Sequence, residues 1–562
     1  MIAPPLATRM TRSNGKPRPP VWTGTIKGIA MAGSLAVEIE VQAEQRTGPY
    51  VPLWNWFGYD EPNYTYTDHG RKLLRELAAL SPVPVHIRTH NLLTSGDGTS
   101  ALKWGSTNAY TEDADGNPVY DWTIIDRIFD AYVEAGVKPL IQIGFTPKAL
   151  SDAPGPYQHN WTLEAVDKTI TTGWAAPPND LAKWGALIEA WARHLAERYG
   201  HDVVSGWPWE VWNEPDGNYW TGTLADYCAL YDASARAVKR VLPNARIGGP
   251  HTCGPFSREE AGSFLRAFLT HVVETSSPID FLAFHAKGRP LVHEGHVRMG
   301  LDNQLHDIDT GLGIVNEFPS LNGLPVILGE SDPEGCAACS ARVYPQNAYR
   351  NGPLYGVYVV EAIMRTYELS RRAGVLVEGA VTWAFMFDGQ PYFDGFRDLA
   401  TNGIDKAVLN AFRMLGMLGG DWVACHSSRA LGIEQIMAQG VREAPDVNAV
   451  ATRDATGVSV LVWHYHDDVT AGPDAEVTVS LSGAPSAKVR HYRMDAEHSN
   501  AFAVWQKMGS PQHIEGVKYA KLESAGRLEQ LDDAVTVERN GGTTKLRLTL
   551  PRHGVSLLRL EP

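Results

Sequence analysis

Between about residue 51 and residue 420, short apolar runs alternate with longer amphipathic stretches. The runs end near Phe57, His90, Gly144, Glu214, Gly249, His285, Glu330 and Phe385. Each is short and rich in β-branched or aromatic residues, as buried parallel strands are. The stretches between them repeat at helical spacing. Gly70–Leu80 carries Leu73, Leu74, Leu77 and Leu80, and Asp121–Gly136 carries Ile125, Ile128, Phe129 and Val133. Asn179–Tyr199 sets Trp184, Leu187, Ile188, Trp191 and Leu195 on one side, and Tyr227–Leu242, Ser263–Val273 and Tyr355–Arg372 are similar. An eight-fold alternation of strands with helical stretches predicts an α/β protein built on a (β/α)8 TIM barrel over 51–420.

The pattern changes at both ends. From about Asp421 helical periodicity stops, and Val458–Trp463, Ala475–Val479 and Thr544–Leu550 alternate apolar with polar residues between Gly and Asp turns. That pattern predicts a β-sandwich domain over 421–562. Ala36–Val41 alternates apolar with acidic residues, as a half-exposed antiparallel strand does, so residues 23–50 are expected to pair with the C-terminal β-domain. Residues 1–22, rich in Pro, Arg and Lys, read as a loose N-terminal arm.

Composition mainly excludes. A net charge of −14 disfavours nucleic acid and anionic membranes as partners and favours a neutral substrate. No apolar run reaches the length of a membrane span, and the N-terminus lacks a charged region followed by an apolar one, which leaves a cytoplasmic location as the expectation. The 17 Trp and 21 Tyr suit carbohydrate binding mildly, since large cores also bury aromatics. Five cysteines make no disulfide framework. Cys336-Ala-Ala-Cys339 has the spacing of half a zinc site without a second half, and reads as a local disulfide or two inert thiols.

The chemistry sits at two strand ends. Trp209-Glu210-Val211-Trp212-Asn213-Glu214-Pro215 delivers an amide and an acid where Pro215 stops the strand, and Val326-Ile327-Leu328-Gly329-Glu330 delivers a second acid. Barrel enzymes keep their chemistry at this end. Two carboxyls flanking one bond are what glycoside hydrolysis requires. Glu214 is expected to be the proton donor, its pKa raised by partial burial and a nearby carboxylate, and Glu330 the ionised nucleophile. Structural ion pairs at strand ends are the competing reading.

These segments resemble a known family. Trp-Asn-Glu-Pro is similar to the acid/base segment of clan A retaining glycosidases. Asp115–Trp122, Gly136-Val137-Lys138-Pro139, Thr382-Trp383, Gly403–Ala407, His491–Asp495, Glu497–Asn500 and Leu550–Ser556 extend the resemblance over nearly the whole chain. The family is glycoside hydrolase family 39, and the β-part resembles its bacterial β-xylosidase branch. The resemblance implies Glu214 as acid/base, Glu330 as nucleophile and Asn213 on the sugar 2-hydroxyl. It further implies His90, beside Asn91, on distal hydroxyls, His285 near the nucleophile and Trp383 under the ring. Two positions depart: Lys287 stands where the family often has Tyr, and Ser331 where it often has Trp. Lys287 either lowers the pKa of Glu330, meets a substrate hydroxyl or is solvated; Glu334 is a further candidate for the pocket lining. The resemblance implies a retaining exo-hydrolase of xylo-oligosaccharides and aryl or alkyl xylosides, with side activity on α-L-arabinosides. Its alternatives are an α-L-iduronidase-like enzyme and an inactive sugar-binding protein. The carboxyl pair supplies acid, base and nucleophile, so no cofactor or metal is expected.

Overall fold

A computed structural model describes residues 33–153, 155, 157, 161, 173–483 and 488–561. The expected arm 1–22 and the first part of the expected strand region, 23–32, lie outside the described residues.

Eight parallel strands close into a barrel in sequence order. With β1 being Leu35–Pro49, they are β2 Trp56–Tyr59, β3 His86–Thr89, β4 Lys138–Ile143, β5 Trp209–Val211, β6 Ile247–Thr252, β7 Phe281–Lys287, β8 Val326–Asp332 and β9 Val377–Trp383. One long helix follows each: α1 Asp68–Ala78, α2 Thr123–Ala135, α3 Leu181–Tyr199, α4 Leu224–Val241, α5 Glu259–Thr275, α6 Leu301–Asn316, α7 Pro353–Ala373 and α8 Ala407–Gly416. Local chemistry sets their ends. Asp180 caps α3 by accepting from the amides of Ala182 and Lys183, Thr223 and Asp226 form a capping box on α4, and α2 stops at Gly136 in the left-handed region. The pattern of the sequence misses α6. Its inward residues Leu301, Leu305, Ile308 and Leu312 keep helical spacing, but Gly311 and Gly313 interrupt the propensity; Gly311 is small because the Phe284 ring lies against it.

Apart from three two-stranded ribbons in the barrel loops, the strands that follow, β10 Asp421–Ser427, β11 Asp446–Asp454, β12 Gly457–Tyr465, β13 Ala475–Ser482, β14 Lys488–Met494, β15 Glu529–Gln530, β16 Thr536–Asn540, β17 Thr543–Leu550 and β18 Val555–Glu561, form one ten-stranded sheet with β1. The order is β15-β14-β18-β12-β11-β10-β1-β13-β17-β16. β1 runs antiparallel to β10 and parallel to β13, so it is a central strand rather than a purely antiparallel one. Period-two alternation divides the sheet's loyalties. Val458, Val460 and Val462 join a core of the sheet's own, while Leu461, Trp463 and Tyr465 join the barrel's core.

Helices do not stop at 421. α9 Ile433–Gln439, α10 Ala501–Lys507 and α11 Gly516–Ala525 are too short for a readable period. α10 and α11 close a small core of Trp505, Ile514 and Leu522 over Phe393 and Ile404 from the loop after β9.

Candidate active site

β5 ends at Val211, three residues short of the expected end, because Trp212 (φ 70°) and Glu214 (φ 43°) are left-handed and break the ladder. Trp212 Nε1 donates to Tyr219 O at 2.9 Å and the Glu214 amide donates to His251 O at 2.9 Å, which fixes the turn. Glu330 lies within β8. A Cβ on Gly329 would run into the rings of His251 and His285, so only glycine lets β8 pass these histidines and present Glu330. The two acids meet: one oxygen of each and one ring nitrogen of His285 all lie within 4.8 Å of one another.

Alternate residues of a strand share a face, and three such pairs build the floor of the site. His285 and Lys287 come from β7, Glu330 and Asp332 from β8, and Arg88 is followed by His90 at the end of β3. Lys287 Nζ donates to Glu330 Oε2 at 2.7 Å and to Asp332 Oδ2 at 2.6 Å, so it is not a solvated lysine. Arg88 Nη1 donates to Glu330 Oε1 at 3.4 Å, and His285 Nδ1 is 3.9 Å from the same oxygen. Burial pushes the Glu330 carboxyl up, but the charges of Lys287, His285 and Arg88 outweigh it and hold the group well below the carboxylate range.

Glu214 departs from its expected protonation. Burial pushes it up, as does Glu330, but His285 Nδ1 at 3.0 Å from Oε1 and the charge of Lys287 pull it below its ordinary value. The expectation of a raised value counted the neighbouring carboxylate and missed the histidine. One proton serves this pair, carried either by Glu214 Oε1 or by His285 Nδ1.

Arg88 and Glu210 are among the charged groups of the site that escaped the sequence reading. Both are buried, and Arg88 Nε donates to Glu210 Oε1 at 2.7 Å. Arg88 Nη2 donates to Asn213 Oδ1 at 2.9 Å, which turns the Asn213 Nδ2 donors outward. His251 Nε2 lies 2.7 Å from Glu210 Oε2, and burial holds this ring's pKa down to about 4. The available signal was a full charge in the middle of an apolar barrel strand, which only a partner on another strand can satisfy.

The other side of the site is a wall around Asp60. Asp60 Oδ1 is 2.8 Å from His90 Nδ1, and Asp60 Oδ2 accepts from Lys103 Nζ and, at 3.5 Å, from Trp383 Nε1. Burial lowers the pKa of His90, and with Nδ1 on Asp60 its Nε2, buried without a partner, is left as the acceptor of the neutral ring. Trp383 lies 4.3 Å from the His90 ring, over Gly58, where a Cβ would collide with the indole. Lys103 was not a candidate in the sequence; it arrives from a loop 43 residues beyond Asp60.

Two predicted residues sit at the margin. Asn91 spends its side chain on Asp60 O at 2.9 Å and on the Thr94 hydroxyl at 2.9 Å, and so supports the wall. Glu334 accepts from Arg350 at 2.6 Å and also from Arg397 and Tyr349, which with burial opposed by both arginines holds it to about 2. It anchors the loop after β8, where Cys336 and Cys339 form a disulfide.

A close carboxyl pair, Glu330 buried and Glu214 half-buried, at the strand ends of a (β/α)8 barrel points to the class of glycoside hydrolases. The model of Glycosyl hydrolases family 39 matches residues 37–534, and the chain belongs to this family. It is similar to a β-xylosidase of Geobacillus stearothermophilus, 26% identical over 523 residues, covering 88% of this chain and 89% of that protein. An α-L-iduronidase of Mus musculus is 23% identical over 404 residues, 66% of this chain and 60% of that one. Among solved structures, a monomeric β-xylosidase from Caulobacter crescentus CB15 superposes with a TM-score of 0.71 at 24% identity, covering 93% and 99% of the two chains.

Proposed function

We propose that this hydrolase releases D-xylose from non-reducing ends of β-1,4-linked xylo-oligosaccharides and from aryl or alkyl β-xylosides, by double displacement. The observation that carries the reading is the approach of Glu214 and Glu330 within 4.8 Å. That approach of one oxygen from each acid favours direct attack, for which carboxyls sit roughly 5–5.5 Å apart, over the roughly 6.5–9.5 Å that accommodates a water. Glu330, kept ionised by Lys287 and Arg88, attacks the anomeric carbon. Glu214 gives the proton it shares with His285 to the leaving oxygen. Once Glu330 is esterified its charge no longer raises Glu214, which then stays ionised and serves as base for the incoming water.

Asn213 Nδ2, turned outward by Arg88, is the donor for the 2-hydroxyl, and His90 Nε2 the acceptor for a distal hydroxyl. The wall of Asp60, His90, Lys103 and Trp383 on one side of the acids supports an exo mode. Arg88, Lys103 and Lys287 each already face a carboxylate, which supports a neutral glycone. A uronate would have to displace one of those pairs, so the iduronidase-like alternative is the second reading. α-L-Arabinosides share the ring and hydroxyl placement and are expected as slower substrates.

Proton NMR of a xylobioside digest tests this. β-Xylose as the first anomer released is the expected result, and α-xylose first would overturn double displacement. In a panel of xylosyl, arabinosyl and uronosyl aryl glycosides, exclusive turnover of the uronoside would overturn the glycone.

A further inference from the structure

We propose that Asp216 and the loop Cys253–Arg258 form the subsite for the leaving group, and that this subsite is built for a sugar ring. The proposal rests on Glu214 as the acid: the leaving oxygen takes that proton, so the leaving group lies beyond Glu214. Asp216 is two residues further along. Its Oδ1 accepts from the Cys253 amide at 3.0 Å, while its Oδ2 is buried without a partner. A buried carboxylate oxygen left unpaired is costly, and a hydroxyl donor that arrives with substrate would satisfy it. Arg258 Nη1 donates to Cys253 Sγ at 2.9 Å beside Gly217, and the exposed guanidinium keeps further donors on this side of the site.

Phe256 supplies the third part. One face of its ring stacks on His306 at 4.5 Å and 22°, yet the residue is 52% exposed. Besides Asp216, the buried carboxylate of Asp307 holds the loop that carries it. Asp307 Oδ1 accepts from the amides of Phe256 (3.0 Å) and Ser257 (2.8 Å), and Oδ2 accepts from the Ser257 hydroxyl (2.8 Å) and the Lys287 amide (3.1 Å). A Cβ on Gly254 would run into that carboxylate, so glycine is what lets the loop close on it. The loop is thereby tied to β7, the strand that carries His285 and Lys287. An exposed aromatic face for ring C–H groups, an unpaired acceptor and a guanidinium donor are what a polyhydroxylated ring needs; an apolar aglycone would use only the first.

The test compares two substrates with the same glycone, whichever glycone the enzyme accepts: a disaccharide, and an aryl glycoside with a good leaving group. The readout is the ratio of their kcat/KM values in wild type, Phe256→Ala and Asp216→Asn. Loss of a hydrogen bond to a charged group predicts a fall of about ten-fold or more in the disaccharide-to-aryl ratio for Asp216→Asn. Loss of ring stacking predicts a fall of roughly three- to ten-fold for Phe256→Ala, which lies on an exposed loop and should keep its Tm. An unchanged ratio in both variants would overturn the subsite. An equal fall on both substrates, with a moved pH profile, would instead make Asp216 a neighbour that acts only through Glu214, and would also overturn it. Failure of the xylose reading alone changes the glycone used and leaves this ratio readable.

Discussion

Lys287 and Arg88 reach opposite oxygens of Glu330 and do different work there. Lys287 neutralises two carboxylates at once, Glu330 and Asp332, and contributes charge. Arg88 spends one nitrogen on Glu330 and the others on Glu210 and Asn213, and contributes orientation. Lys287→Met keeps the stem and removes the charge. Glu330 is held low in the native enzyme, so it stays ionised and active as pH falls; without the lysine its pKa rises. The acid limb of kcat/KM should therefore move up by about 1–2 pH units, the usual effect of one close opposite charge. A raised KM with an unmoved limb would show that Lys287 serves a substrate hydroxyl instead. Arg88→Lys preserves the charge and loses the fork, so kcat/KM should fall about ten-fold or more while the acid limb moves less than in Lys287→Met.

At the scale of the element, β8 shows what could be read in advance and what could not. An apolar run ending in Gly-Glu announces a strand with chemistry at its end. Why glycine precedes the acid depends on His251 and His285, which come from β6 and from β7 and share no local pattern with Glu330. Gly329→Ala should overpack this junction, costing about 1–3 kcal/mol in denaturant unfolding and displacing the nucleophile; full activity with unchanged stability would refute the packing argument. The same distinction runs through the site. Asn213, Glu214, Glu330 and the barrel's order were legible, because strand ends and period repeats are local. Arg88, Glu210 and Lys103 were not, because a charge inside an apolar run has meaning only through its partner on another strand. The short helices α9, α10 and α11 were missed for a related reason: their burial is decided by the barrel loops they cover, not by their own periodicity.

On the scale of the whole molecule, the C-terminal sheet and the barrel stand or fall together. Trp463 Nε1 donates to Glu361 on α7, and Arg365 joins Glu361 at 2.7 Å to Asp446 at 2.7 Å. β1 supplies a central strand from the other end of the chain, so residues 421–562 expressed alone should show no cooperative unfolding transition by circular dichroism. Buried histidines add a pH dependence to this joint stability. Burial depresses His464 to about 4, His491 to about 4 and His553 to about 3 in the sheet, and His86 to about 3 in the barrel. Their unfolded value lies near 6.5. The native state therefore binds fewer protons than the unfolded chain below that pH, and the stability these groups permit is complete above about pH 6.5 and lost as pH falls toward about 4. Asp467 and Glu76, which burial pushes up to about 7, and Glu61, pushed up to about 8, oppose this. Most depressed carboxylates matter only lower; Glu334 sits at about 2. Each such histidine should thus cost up to roughly 2 kcal/mol of stability between about pH 7 and pH 5, and the raised carboxylates offset part of that cost. His553→Gln retains a donor for His466 O, which His553 Nε2 meets at 3.2 Å, and removes one proton from the difference. Its Tm should gain on the wild type's as pH falls over that range, and two parallel curves would show that His553 carries no such linkage.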